Sequence, residues 1–294
     1  MFKVNKKLIA VLLLFSVLGA GYFYKDRVVN YIFGLPQIKK PIEIFFSDVE
    51  NVAKEVFTPP PLRVEKEVET TLLTRNGIVL WTNIHRAENG LVPLSENTRL
   101  VYAAVEKLND MFENQYFAHV SPAGLGVTHW VDRAGYEYLI VGENLALGNF
   151  EDDADLVQAW MDSPGHRKNI LGNYTEIGAA TGRGIFEGRQ TWLAVQVFGR
   201  PVSDCPQPSV QLQSEINIYE TNIKSTENSL TFLKIQIERI APARRAFKED
   251  YSELVNEYNA LVAQYNGLVE EFQTMIEEYN GQVKEFNNCV QTNL

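Results

Sequence analysis

The sequence predicts an α+β domain followed by an all-α helical hairpin. Two observations carry this. Amphipathic helical stretches come first, and strand-like runs at residues 176–181 and 191–198 follow, separated by the glycine-rich residues 182–188. Helices and then an antiparallel pair is α+β layering. Beyond Cys205-Pro206-Gln207-Pro208, apolar and aromatic residues recur every seven positions almost to the last residue, as in helices that share a seam.

From Thr71 the pattern is helical as far as Asn89-Gly90, a stop signal. A second helix fits residues 97–116, with Leu100, Ala104, Leu108, Met111 and Phe112 on one stripe. A third fits residues 126–134 and stops at Gly135, and a fourth, opened by acids, fits residues 153–161. Ser163-Pro164 then starts a short basic helix: the serine oxygen can cap free amides, and proline suits the first helical position. Gly172 suits a left-handed stop, and Glu176 opens a strand.

With 294 residues, 45% of them hydrophobic, the chain can bury one domain and more. A net charge of −10 excludes nucleic acid and an anionic membrane surface as default partners. Residues 1–24 place Lys3, Lys6 and Lys7 ahead of an apolar run from Leu8 to Tyr24. That run is at the short end for a span and lacks a clear small-x-small cleavage site, so a signal anchor is favoured over a cleaved signal peptide. The lysines keep the N-terminus cytoplasmic, which puts the body outside the cell membrane, or in the medium if the signal is cleaved. Residues 25–70 read as a juxtamembrane stalk; their Thr58-Pro59-Pro60-Pro61 favours a stiff polyproline II spacer.

In the C-terminal part, Ile216, Ile223, Leu230 and Ile237 share one seam; Tyr219, Leu233 and Ile240 share the other, with Thr226 as an exception. Tyr251, Tyr258, Tyr265, Phe272, Tyr279 and Phe286 continue the first, and Leu254, Leu261, Leu268, Met275 and Cys289 the second. The phase runs unbroken across Pro242, which favours one helix; proline inside a helix costs about 3 kcal/mol, which favours a turn. With a turn near residues 242–246, an extended 206–209 segment brings Cys205 level with Cys289. The favoured reading is an antiparallel hairpin over residues 209–294 closed by a Cys205–Cys289 disulfide, which export permits. Two cysteines are otherwise too few to build a fold.

Three stretches carry a resemblance: FAHVSPAG at residues 117–124, GENLA at 142–146, and WMDSPGHRKNIL with YTEIGAA at 160–180. NIHRAENGLVPL at residues 83–94 and WLAVQVFG at 192–199 flank them. In this order they resemble the bacterial branch of the CAP superfamily, the SCP-like extracellular domain. The resemblance implies a CAP-type α-β-α sandwich over residues 71–202 and a cavity holding two histidines and two acids. His119 and Glu143 match through their motifs. Where animal members carry the second histidine before a Tyr-Thr pair this chain has Asn173, so His166 would take that role, with Glu176 as the second acid.

Converging imidazoles and carboxylates can bind a divalent metal such as zinc, here at His119, His166 and Glu143; they can also move protons, or simply hydrogen-bond one another. The plain structural readings stand beside these: Glu143 tying a turn, His119 capping a loop, His166 bracing a strand. His85 beside Arg86 reads as a satisfied polar position, and His129 beside Trp130 as packing. Ser121 and Ser163 each precede proline outside any Gly-x-Ser-x-Gly, and neither a phosphate loop nor a Cys-x-x-Cys site occurs. No catalytic residue is therefore assigned. The chain reads as a membrane-tethered, extracytoplasmic protein. As the resemblance implies, its His/Glu cleft would bind a lipid-like molecule, metal or cell-surface component, and its coiled coil would bind a protein partner or second copy. The alternative is a cell-surface hydrolase of peptides or cell wall acting through His119 and Glu143.

Overall fold

Among the described residues, 54–64 and 72–293, a computed structural model shows a mixed six-stranded sheet in the order β1-β4-β6-β5-β3, with β2 also paired to β4. The strands are β1 Glu55–Phe57, β2 Leu62–Arg63, β3 Ser95–Glu96, β4 Tyr138–Gly148, β5 Glu176–Phe186 and β6 Arg189–Pro201. Five helices interleave: α1 Arg75–Glu88, α2 Thr98–Glu113, α3 Val127–Arg133, α4 Asp153–Asp162 and α5 Pro164–Ile170. The expected anchor at residues 1–24 and most of the expected stalk lie outside the described residues. Among the described residues no helix is long and apolar enough to cross a membrane.

The sheet has helices on both faces. Leu100, Ala104 and Met111 of α2 and Trp130 of α3 join Val141, Leu145 and Val197 in one core. Ile78 of α1, Leu156 and Trp160 of α4 and Ile170 of α5 join Ile140, Ala146 and Phe198 in the other. This is the α-β-α sandwich that the motifs imply. His129 stacks edge-on against Trp130 at 4.8 Å between ring centroids, as packing.

Two local readings need correction. Residues 182–184 stay inside β5, and the reversal is Glu187-Gly188, with φ of 52° and 76°, as a tight hairpin turn requires. Gly182 and Gly184 are there for space: a Cβ would come within 3.0 Å of Leu108 and 2.9 Å of Phe112. Gly172 likewise serves close approach to the Tyr174 ring (2.6 Å from a Cβ) and does not adopt a left-handed stop.

Arg86 of α1 is buried, at 3% exposure. It donates to the carbonyls of Val92 (3.0 Å), Ile170 (2.8 Å), Gly172 (2.9 Å) and Tyr174 (3.3 Å). One guanidinium thus holds the end of α5 and the loop that follows it.

Cys205 and Cys289 form the expected disulfide. Residues 282–293 belong to the same unit as the sheet, and Phe286 and Val290 enter the core beneath α1, α4 and α5. A second unit holds residues 209–281. There α6, Val210–Ile240, ends in a 3-10 turn at Ala241–Ala243 that contains Pro242, and α7, Lys248–Asn293, runs back. A Tyr219–Glu271 hydrogen bond of 2.7 Å ties the two helices. The chain is therefore a hairpin and not one helix through Pro242. On α6, Ile216, Ile223, Thr226, Leu230, Leu233 and Ile237 are buried, so Thr226 sits in the seam it seemed to interrupt. On α7 the aromatic seam is as expected, but its companion is Val262, Val269 and Ile276; Leu254, Leu261, Leu268 and Met275 lie on the flank, partly buried. A step of four after each aromatic residue fits the 3.6-residue turn as well as a step of three.

Candidate functional site

The site forms at a sheet edge interrupted by proline. β1 runs parallel to β4 at Ile140, Val141 and Gly142, and β2 at Ala146 and Leu147. Between them residues 58–61 include three prolines, which have no amide hydrogen to give a ladder. Residues 143–145 of β4 accordingly have no strand partner on that edge.

Glu143 is inside this gap with no exposed side-chain surface. His119 reaches it from the loop after α2: its Nδ1 is 2.6 Å from Glu143 Oε1, and its Nε2 meets the carbonyl oxygen of Pro59. A carbonyl only accepts, so Nε2 carries a hydrogen. The Nδ1–Oε1 contact also needs a hydrogen between its two atoms, since a carboxylate oxygen accepts. The loop is braced by Lys107 of α2, whose Nζ donates to Tyr116 Oη (3.0 Å), Ala118 O (2.7 Å) and His119 O (3.0 Å). Lys107 is fully buried; burial pushes its ammonium below the usual value, against the pull of Glu143 and Asp110.

His166 stands one turn into α5. Its Nδ1 is 2.8 Å from Ser163 Oγ, and Asn144 donates to its carbonyl at 3.2 Å. Ser163 thus pairs with the imidazole and caps no backbone amide, contrary to the cap expected from sequence. Burial first, and the neighbouring His119 second, lower the His166 pKa from 6.5 to about 4. His166 is therefore neutral at pH 7. Its Nε2 and Glu143 Oε2 are buried without a hydrogen-bond partner among the described residues.

A histidine depressed in the fold takes up its proton first in the unfolded chain. Stability from this group is complete above about pH 6.5 and falls until about pH 4, by about 3 kcal/mol at most. Thermal melts between pH 7 and pH 4.5 should show Tm falling with acidity, and His166→Gln should flatten that slope.

Glu176 does not join the site. It lies two strands over and two residues along from Glu143, with Gly178 level with Glu143 across β6, a separation of about 12 Å by sheet geometry. Its oxygens accept from Asn97 (3.0 Å) and Tyr136 (2.6 Å). His85 Nδ1 lies 3.2 Å from Glu88 Oε2 on α1, as a satisfied polar position would. Lys107 was not foreseen, though a lysine seven residues after Leu100 on an apolar stripe was a signal. Nor was the buried network in which Asn169 donates to Asn144, Asn144 to Gln196 and Gln196 to Thr82.

His119 has both nitrogens engaged, and among the described residues no three His, Cys, Asp or Glu side chains are grouped to hold a metal ion. As arranged, these residues do not fit a metal centre.

Residues 81–197 match the CAP family, the cysteine-rich secretory protein family. This part of the chain is similar to a CAP domain. Over 116 residues the chain is 38% identical to the uncharacterized protein YkwD of Bacillus subtilis (strain 168), covering 39% of this chain and 43% of that one. Over 130 residues it is 30% identical to the uncharacterized membrane protein YlbC of the same organism, covering 44% and 37%. The chain thus spans less than half the length of these curated relatives. Among solved structures, an extracellular protein containing a SCP domain from Bacillus anthracis is 29% identical, covering 43% of this chain and 40% of that one at a TM-score of 0.37.

Proposed function

We propose that the CAP domain has a ligand-binding hollow at His119, Glu143 and His166, on the outer side of a cell membrane, and that it does not turn its ligand over. The observation that carries this is a pair of buried atoms, Glu143 Oε2 and His166 Nε2, that lack a partner among the described residues beside a histidine already holding a carbonyl oxygen. Burying polar groups unpaired costs about 1–3 kcal/mol each, which a ligand's hydroxyl or amide would recover. Against turnover, His166 is too weakly basic to activate Ser163, Ser121 Oγ accepts from Leu125 N at 3.1 Å, and both cysteines are in the disulfide. The location is supported by the lysine-flanked apolar run before residue 24, by one relative's description as a membrane protein, and by a disulfide that needs an oxidising compartment.

The seams of α6 and α7 serve as a coiled coil. A protein partner or second copy would meet α6 at Ile218, Phe232 and Ile235, each more than half exposed.

The test is equilibrium binding to the full chain of a fluorescent fatty acid and of a labelled eleven-residue peptide described below. His119→Ala and Glu143→Gln should each weaken the probe that binds at least tenfold, with the probe recovered intact by mass spectrometry. Cleavage of the peptide, lost in both variants, would establish the hydrolase reading instead.

A further inference from the structure

We infer that the hollow is the central subsite of a groove for an extended, proline-bearing peptide, and that residues 54–64 are its occupant within the chain. This rests on the ligand-binding reading above and names the class of ligand.

The segment binds as a peptide added to a sheet edge does: backbone pairing on either side, with side chains read at alternate positions. Beyond the two short parallel ladders, Val64 N donates to Leu147 O at 2.9 Å, and Asn169 donates to Phe57 O at 3.2 Å. Lys168 stands over the Phe57 ring at 4.6 Å from its centroid. At the centre the Pro59 carbonyl meets His119, and the Pro59 ring lies on Gly165: a Cβ there would be 2.6 Å from Pro59 Cβ. The first turn of α5 thus has a glycine where the proline ring sits. At the far end Arg63 makes two bonds to Glu187, of 2.9 and 3.1 Å, and at the near end Lys54 meets Asp132 at 3.4 Å. The groove therefore reads an aromatic residue, a proline two positions on, and a cation four positions after that.

The occupant rests Phe57, Leu62 and Val64 on the edge of the core but is less buried than a central strand. Residues 54–64 are all half-buried or exposed, in near alternation, whereas every residue of β4 beneath them is buried. β4 is paired along its length to β6, so lifting the segment leaves the central pairing of the sheet intact. Consecutive prolines are already extended, which lowers the ordering cost of docking. A tethered occupant also acts at an effective concentration of order millimolar, so an outside peptide binds weakly until the segment is released.

The experiment uses the full chain and a fluorescein-labelled peptide with the sequence of residues 54–64. The wild type should bind it weakly. A Phe57→Ser, Pro59→Gly, Arg63→Ser triple variant, shown folded by its melt, should bind at least tenfold more tightly. Adding Gly165→Val or His119→Ala to the triple variant should reverse the gain, and a scrambled peptide should not bind. Hydrogen exchange across residues 54–64 reads release; if it stays slow in the triple variant, the segment is part of the fold and the inference falls. If release occurs but only the fatty-acid probe gains affinity, the peptide class is wrong while the ligand-binding hollow stands. If neither probe gains, both readings fall.

Discussion

Cys205→Ser or Cys289→Ser should lower the unfolding free energy by about 4–5 kcal/mol. The two cysteines are 84 residues apart in sequence, and a cross-link over so long a loop restricts the unfolded chain by about that amount in the chain-entropy account. Cys205 is also 1% exposed in the core that Phe286 and Val290 enter, so a serine there would bury a hydroxyl. Urea unfolding of the full chain, oxidised and reduced, measures the first effect; the difference between reduced wild type and the serine variants isolates the second. A loss below about 1 kcal/mol in every comparison would mean that the last turns of α7 stay docked without the bond.

Arg86→Met should cost on the order of 4 kcal/mol. It strands the buried carbonyl oxygens of Ile170 and Tyr174, each at about 1–3 kcal/mol before relaxation, while those of Val92 and Gly172 are part-buried and regain water. Arg86→Lys should rescue little, because one ammonium cannot reproduce a fork that spans α1 and two points beyond α5. The exposed Arg99→Met serves as the control and should be neutral. Since Arg86 holds the end of the helix that seats His166, ligand affinity should fall together with stability.

The sequence made some of this visible and hid the rest for identifiable reasons. The heptads of α6 and the break at Pro242 were legible because period and proline are local signals. On α7 leucine was favoured over valine for the second seam, since both spacings fit a helix and only packing against a neighbour chooses. β4 went unseen: buried on both faces, it has no polar alternation to betray a strand. His119 and Glu143 were legible through motifs, and they meet. Glu176 was assigned by analogy of order, but sheet register carries it to Tyr136 and Asn97. The run at Pro59 read as a spacer, because polyproline is equally extended free or docked; what docks it, His119 and Gly165, lies far along the chain.

That docking also stores length. Chain at full stretch covers about 3.3–3.6 Å per residue, so peeling residues 54–64 from the edge of β4 pays out roughly 35 Å of line ahead of β4's neighbours. On the proposal above, if the preceding residues are fastened, the domain's working radius would depend on whether Pro59 rests on His119. A ligand that takes the groove would, in the same act, let the domain travel farther.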